Sequence, residues 1–109
     1  MIYEMRRYEA MPGKIGALNE VMESLAVPVF EKVGMRLVGA WVPVAGDYNN
    51  ALQYMLAWES LNEREEKWQE FFNHPDWVSG REEVGRKHGA VVSRELHVFL
   101  GATSYSPLK

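Results

Sequence analysis

At 109 residues the chain has the length of one domain, spanning 1–109, long enough for a single core and too short for two. Hydrophobic residues at 47% and charged residues at 25% exclude a disordered chain, and a net charge of −3 with no cysteine excludes a basic nucleic-acid footprint, disulfides, thiolate catalysis and zinc–thiolate sites. No apolar run approaches the roughly 20 residues that cross a bilayer, and no basic segment leads into an apolar run of signal-peptide length, so a cytoplasmic protein without a membrane span or nucleic-acid partner is expected.

Residues 1–10 read as a strand whose alternation sets Glu4, Arg6 and Tyr8 on one side, at steps of about 6.5 to 7 Å. A carboxylate, a guanidinium and a phenol in one row beside Ile2 do not make an ordinary wet surface. Met11-Pro12-Gly13 ends the strand, because proline withholds a ladder donor and glycine permits a turn. Ile15, Leu18, Val21 or Met22, Leu25, Val29 and Phe30 then recur at helical spacing. Pro28 predicts a kink, or the end of the regular helix near Val27, and Gly34 a stop.

Residues 35–44 form the second predicted strand, with Leu37, Gly39 and Trp41 on one side. Asp47-Tyr48-Asn49-Asn50 supplies turn chemistry, and residues 51–59 form the third strand, with Leu52, Tyr54, Leu56 and Trp58 sharing a side. The short connection favours an antiparallel hairpin. Ser60 and Glu63 fit a capping box at the start of a helix that offers Leu61, Trp68, Phe71 and Phe72 to the core. A further helix over 76–87 buries Trp77 and Val84, and a last strand runs over 90–100. The resulting order predicts an α+β fold: a ferredoxin-like, four-stranded antiparallel sheet with helices on one face.

Helices cover only one face of such a sheet, yet neither face alternates to polar residues. Trp41 and Trp58 in particular predict a second apolar covering, met by packing two sheets into a homodimer that encloses a barrel-like cavity. For Glu4 with Arg6 two readings stand: a base and anion anchor at the cavity floor, or a structural ion pair at the dimer seam. Tyr8 and Tyr54 suit donors to a ligand oxygen, and Trp41 and Trp58 suit walls for a flat apolar ligand; all four also serve as core or interface filler. His74, His88 and His97 lack chelate spacing, so neither a metal site nor a cofactor is expected.

The residues that carry these readings also resemble a known family. Ile2-Tyr3-Glu4-Met5-Arg6-Arg7-Tyr8 with Pro12-Gly13-Lys14, then Gly39-Ala40-Trp41, Trp58-Glu59-Ser60-Leu61 with Arg64, Pro75-Asp76-Trp77 and Tyr105-Ser106-Pro107 together resemble the NIPSNAP family of the dimeric α/β-barrel superfamily. One departure is Tyr54, where relatives often carry histidine. The resemblance implies a dimeric barrel with a cavity, in a superfamily that includes cofactor-free and haem-dependent oxygenases, isomerases and decarboxylases. The expected function is binding of a small apolar or aromatic molecule, with cofactor-independent oxygenase or isomerase-type chemistry resting on Glu4 and Arg6. The competing expectation is a non-enzymatic interaction or trafficking-type module whose sheet face serves only dimerisation.

Overall fold

Strand β1 (Ile2–Ala10) lies inside the sheet, antiparallel to β3 (Ala51–Trp58) on one side and to β4 (Val92–Gly101) on the other. Strand β2 (Arg36–Trp41) completes the order β2-β3-β1-β4. This is the ferredoxin-like α+β arrangement read from the sequence, in a computed structural model that describes residues 1–109. Helices α1 (Ile15–Val21), α2 (Val27–Val33), α3 (Leu61–Asn73) and α4 (Pro75–His88) occupy the connections.

The first helical stretch does not end near Val27. A π-helical turn, Met22–Ala26, joins α1 to α2, and Pro28 sits within the first turn of α2. A π turn bonds each carbonyl one residue further along than an α turn, so the chain passes a residue with no N–H without breaking. The helix stops at Gly34, whose φ of 82° is left-handed and open to glycine at little cost.

A second departure lies in β2. Leu37 pairs with Leu56 but Gly39 pairs with Met55, so Val38 forms a bulge. The extra residue reverses the alternation: Leu37 packs against the core, whereas Trp41, paired with Gln53, lies on the opposite face. Gly39 makes this possible, since a Cβ there would stand 2.6 Å from the Trp41 ring.

The core fills the space between helices and sheet, where Trp58, Tyr54, Phe30 and Leu56 are fully buried. The Ser60 hydroxyl accepts the Glu63 N–H at 3.1 Å, the first half of the capping box. The Glu63 carboxylate turns to Arg36 instead. Ser60→Ala should cost about 1 kcal/mol, measured as a lower urea midpoint with an unchanged slope. Leu61 and Phe72, expected in the core, are exposed, and α4 contains no buried residue. Trp77 and Val84 are half-buried beneath it.

The other sheet face carries no helix. Trp41, Val98 and Leu100 remain 50%, 51% and 40% exposed there, and at one corner Ser106 and Leu108 of the C-terminal segment line a shallow hollow with Tyr3, Met55 and Leu100. No helix is long and apolar enough to cross a membrane.

Candidate functional site

Alternation along β1 aims Glu4, Arg6 and Tyr8 toward the helices, and the register sets each against a partner on β3: Leu56, Tyr54 and Leu52. The row therefore lies beneath this chain's own helices and not on the bare face. Trp58, opposite Ile2, is on the same side and wholly buried. Five of the six residues singled out from sequence thus meet in one layer, and Trp41 is separated from them by the thickness of the sheet.

Glu4 has no exposed surface, yet its carboxylate is fully satisfied. Oε1 accepts from Trp58 Nε1 at 3.1 Å and Arg64 Nε at 3.2 Å. Oε2 accepts from Arg6 Nη1 at 2.7 Å, Arg64 Nη2 at 3.2 Å and His97 Nδ1 at 2.9 Å. Burial by itself would raise the carboxyl pKa, but the bonds from Arg64, His97 and Arg6 outweigh it and hold the group at about 2. A carboxylate this acidic, with both oxygens occupied, is a poor proton acceptor. The general-base role expected of Glu4 does not fit its surroundings; it orients Arg6, Arg64 and His97. Because ionised Glu4 can only accept, His97 carries its proton on Nδ1.

Arg6 is the link between this buried charge and open space. Its Nε donates to the Tyr54 hydroxyl at 2.9 Å and its Nη2 to the Tyr8 hydroxyl at 3.2 Å, and the two hydroxyls lie 2.7 Å apart. Burial works against the Arg6 charge, but Tyr54, Tyr8 and Glu4 more than offset it, so the guanidinium stays charged. Burial, reinforced by Tyr8, keeps the Tyr54 phenol well above its ordinary pKa and therefore neutral. The guanidinium also lies 4.8 Å from the centre of the Trp68 ring.

Above Arg6, Tyr8 and Tyr54 opens a cavity of about 240 Å³ between sheet and helices. At roughly 30 Å³ per water it has the room of about eight waters, enough for one or two rings. Its walls are almost entirely apolar and include Met22, Leu25 and Ala26 of the π turn, Trp68 and Trp77; Arg81 and Glu95 lie at the rim. Widened helical turns of this kind recur at functional sites. The cavity therefore belongs to one chain, on its helical side, and not to a space between two sheets. No group of three or more His, Cys, Asp or Glu residues is placed to hold a metal ion.

Arg64, Trp68, Glu95 and His97 are not among the site residues expected from sequence, where Trp68 reads as core, Arg64 as part of the family resemblance and His97 only as a histidine without chelate spacing. Arg64, Trp68 and Phe71 follow i, i+4, i+7 spacing, which sets Arg64 on the core-facing side of α3. Glu95 and His97 alternate on β4 and lie opposite Tyr8 and Arg6, a proximity visible only once β4 is placed beside β1.

An antiparallel β2-β3-β1-β4 sheet with helices on one face and a chamber between the layers defines an α+β protein of ferredoxin-like fold. The family model described as NIPSNAP matches residues 3–107, and the chain belongs to the NIPSNAP family. An uncharacterised NIPSNAP domain protein from Burkholderia xenovorans is similar at 20% identity, with 98% of this chain and 99% of that one covered and a TM-score of 0.82. A NIPSNAP family protein of unknown function from Agrobacterium tumefaciens shares 24% identity over 100% of this chain and 94% of its own, with a TM-score of 0.85. A protein from Nitrosomonas europaea, provisionally described as an antibiotic biosynthesis monooxygenase, shares the fold at 10% identity, with 94% of this chain and 98% of that one covered and a TM-score of 0.64. A search of curated proteins returned no match.

Proposed function

We propose that this NIPSNAP-family chain binds a small apolar or aromatic molecule in the chamber beneath its helices, and that two chains associate through their bare sheet faces. The observation that carries the first part is the chamber itself: apolar walls around about 240 Å³, closed at one end by a charged guanidinium and two hydroxyls. An aliphatic core has no use for Arg6 at its centre, whereas a ligand site combines apolar walls with a few placed polar groups. Turnover in the chamber would draw on Arg6 and Tyr8, which are positioned to stabilise negative charge developing on a ligand oxygen. That chemistry suits the cofactor-independent oxygenation or isomerisation expected from sequence, with Glu4 holding Arg6 in place. The kinship in fold with the provisionally described monooxygenase is analogy and transfers no reaction.

The test is thermal stabilisation by a panel of one- and two-ring aromatic acids, ketones and quinones. A ligand at ten times its Kd contributes about 1.4 kcal/mol, which raises Tm by roughly 5 to 10 °C in a domain of this size. Ala26→Phe places a ring in the chamber from the π turn, and Val84→Phe does so from α4. Both should abolish the stabilisation while retaining the native circular dichroism. Undiminished stabilisation in both folded variants would place the ligand elsewhere.

A further inference from the structure

The hydrogen-bond inventory of the chamber is one-sided. Tyr8 and Tyr54 own one hydroxyl hydrogen each, and the 2.7 Å bond between them uses one. Tyr54 is fully buried and accepts from Arg6 Nε, so its hydrogen is the one directed to Tyr8. The Tyr8 hydroxyl then accepts from Tyr54 and from Arg6 Nη2, and its own hydrogen has no protein acceptor.

Trp68 lends the chamber a ring face but no donor. It lines the chamber, is 7% exposed, and its Nε1 is buried with no hydrogen-bond partner. That nitrogen is closed to water, so it is not open to the chamber. Arg6 is itself incompletely matched: the second hydrogen of Nη2 has only Glu95 Oε2, 3.9 Å away, beyond hydrogen-bond length.

The charges run the same way. Arg6 and Arg64 share the one buried carboxylate of Glu4, but Arg64 has a second acid, Glu65, at 2.6 Å, whereas Arg6 has only Glu95 at 3.9 Å; Arg81 adds another cation to the lining. Glu95 is the only acidic residue lining the cavity, and its side chain is 56% exposed.

Resting on the chamber as a ligand site, we infer that its ligand carries an anionic oxygen head, a carboxylate attached to a one- or two-ring body, seated on Arg6 and Tyr8 with Glu95 as the acid that competes for Arg6. A cationic or donor-only head would meet unanswered N–H and O–H groups and a guanidinium. A carboxylate accepts from the Tyr8 hydroxyl and from Arg6, and takes the position beside Nη2 that Glu95 approaches from outside. Glu95 thereby acts as a specificity residue: it lowers affinity for the anion and leaves the shape of the apolar chamber alone.

Three probes of nearly equal shape separate these statements: 2-naphthoate, ionised at neutral pH; 2-acetylnaphthalene, a neutral acceptor; and 2-isopropylnaphthalene, which has no acceptor. Calorimetric or fluorescence titration of the intact protein should rank them in that order, with naphthoate bound about tenfold tighter than the ketone, as a charge-assisted bond predicts. In Glu95→Gln the ratio of naphthoate to ketone affinity should rise about two- to fivefold, the size of a partly exposed charge interaction. Equal affinity for acid and ketone, or a fall of that ratio in Glu95→Gln, would overturn the anionic head while leaving the chamber as a binding site. Absence of binding by all three would overturn the chamber reading itself.

Discussion

Glu4→Gln should be among the most damaging single substitutions in the chain, costing about 3 to 5 kcal/mol. The change is nearly isosteric, so the loss is electrostatic. Arg6 and Arg64 would remain under the helices without their shared carboxylate, and the new amide N–H₂ would face donors where Oε1 or Oε2 had accepted five bonds. The same argument fixes the pH dependence. The folded-state pKa of about 2 lies below the ordinary 4.5, so the stabilisation is fully present above about pH 4.5 and is lost as pH falls toward 2. That interval corresponds to on the order of 3 kcal/mol. Urea midpoints measured between pH 7 and pH 2 should therefore drop steeply in the wild type below pH 4.5 and less steeply in Glu4→Gln. Parallel acid limbs in the two proteins would show that Glu4 is not the group responsible.

The second large effect is expected on the opposite face of the sheet. Trp41, Val98 and Leu100 are about half exposed on a surface with no helix over it. A twofold axis through such a face buries each of these residues against a copy of the same patch. Light scattering at micromolar concentration should give the mass of a dimer, and Val98→Asp should give a monomer. Burying the new carboxylate costs on the order of 3 kcal/mol, about a hundredfold in Kd, and the symmetry presents it twice. A wild-type monomer at that concentration contradicts the proposed association.

The two faces differ in how far they can be read from sequence. Alternation in β1 and β3 groups Glu4, Arg6 and Tyr8 and separately Tyr54 and Trp58, and antiparallel pairing brings the groups together. Period alone does not say which side of a sheet the helices take. A row containing Glu and Arg reads as a rim or seam until Trp58, Arg64 and His97 arrive from positions far along the chain to satisfy it. Trp41 is misplaced by strict alternation for a local reason, the bulge at Val38. Bulges leave little trace in a run of apolar residues; the one clue here is Gly39, whose missing side chain accommodates the Trp41 ring. The π turn is equally hidden, since Pro28 signals a disturbed helix without saying whether it breaks or widens. Local signals such as the Ser60 cap were legible because their physics spans only a few residues.

A crystal structure of the chain with 2-naphthoate bound is the most direct measurement. The expected result is a ring system between the π turn and Trp68, with its carboxylate within hydrogen-bond distance of Arg6 and Tyr8. Rings lodged between the sheets of two chains, or a chamber closed by its own side chains with no ligand in it, would contradict it.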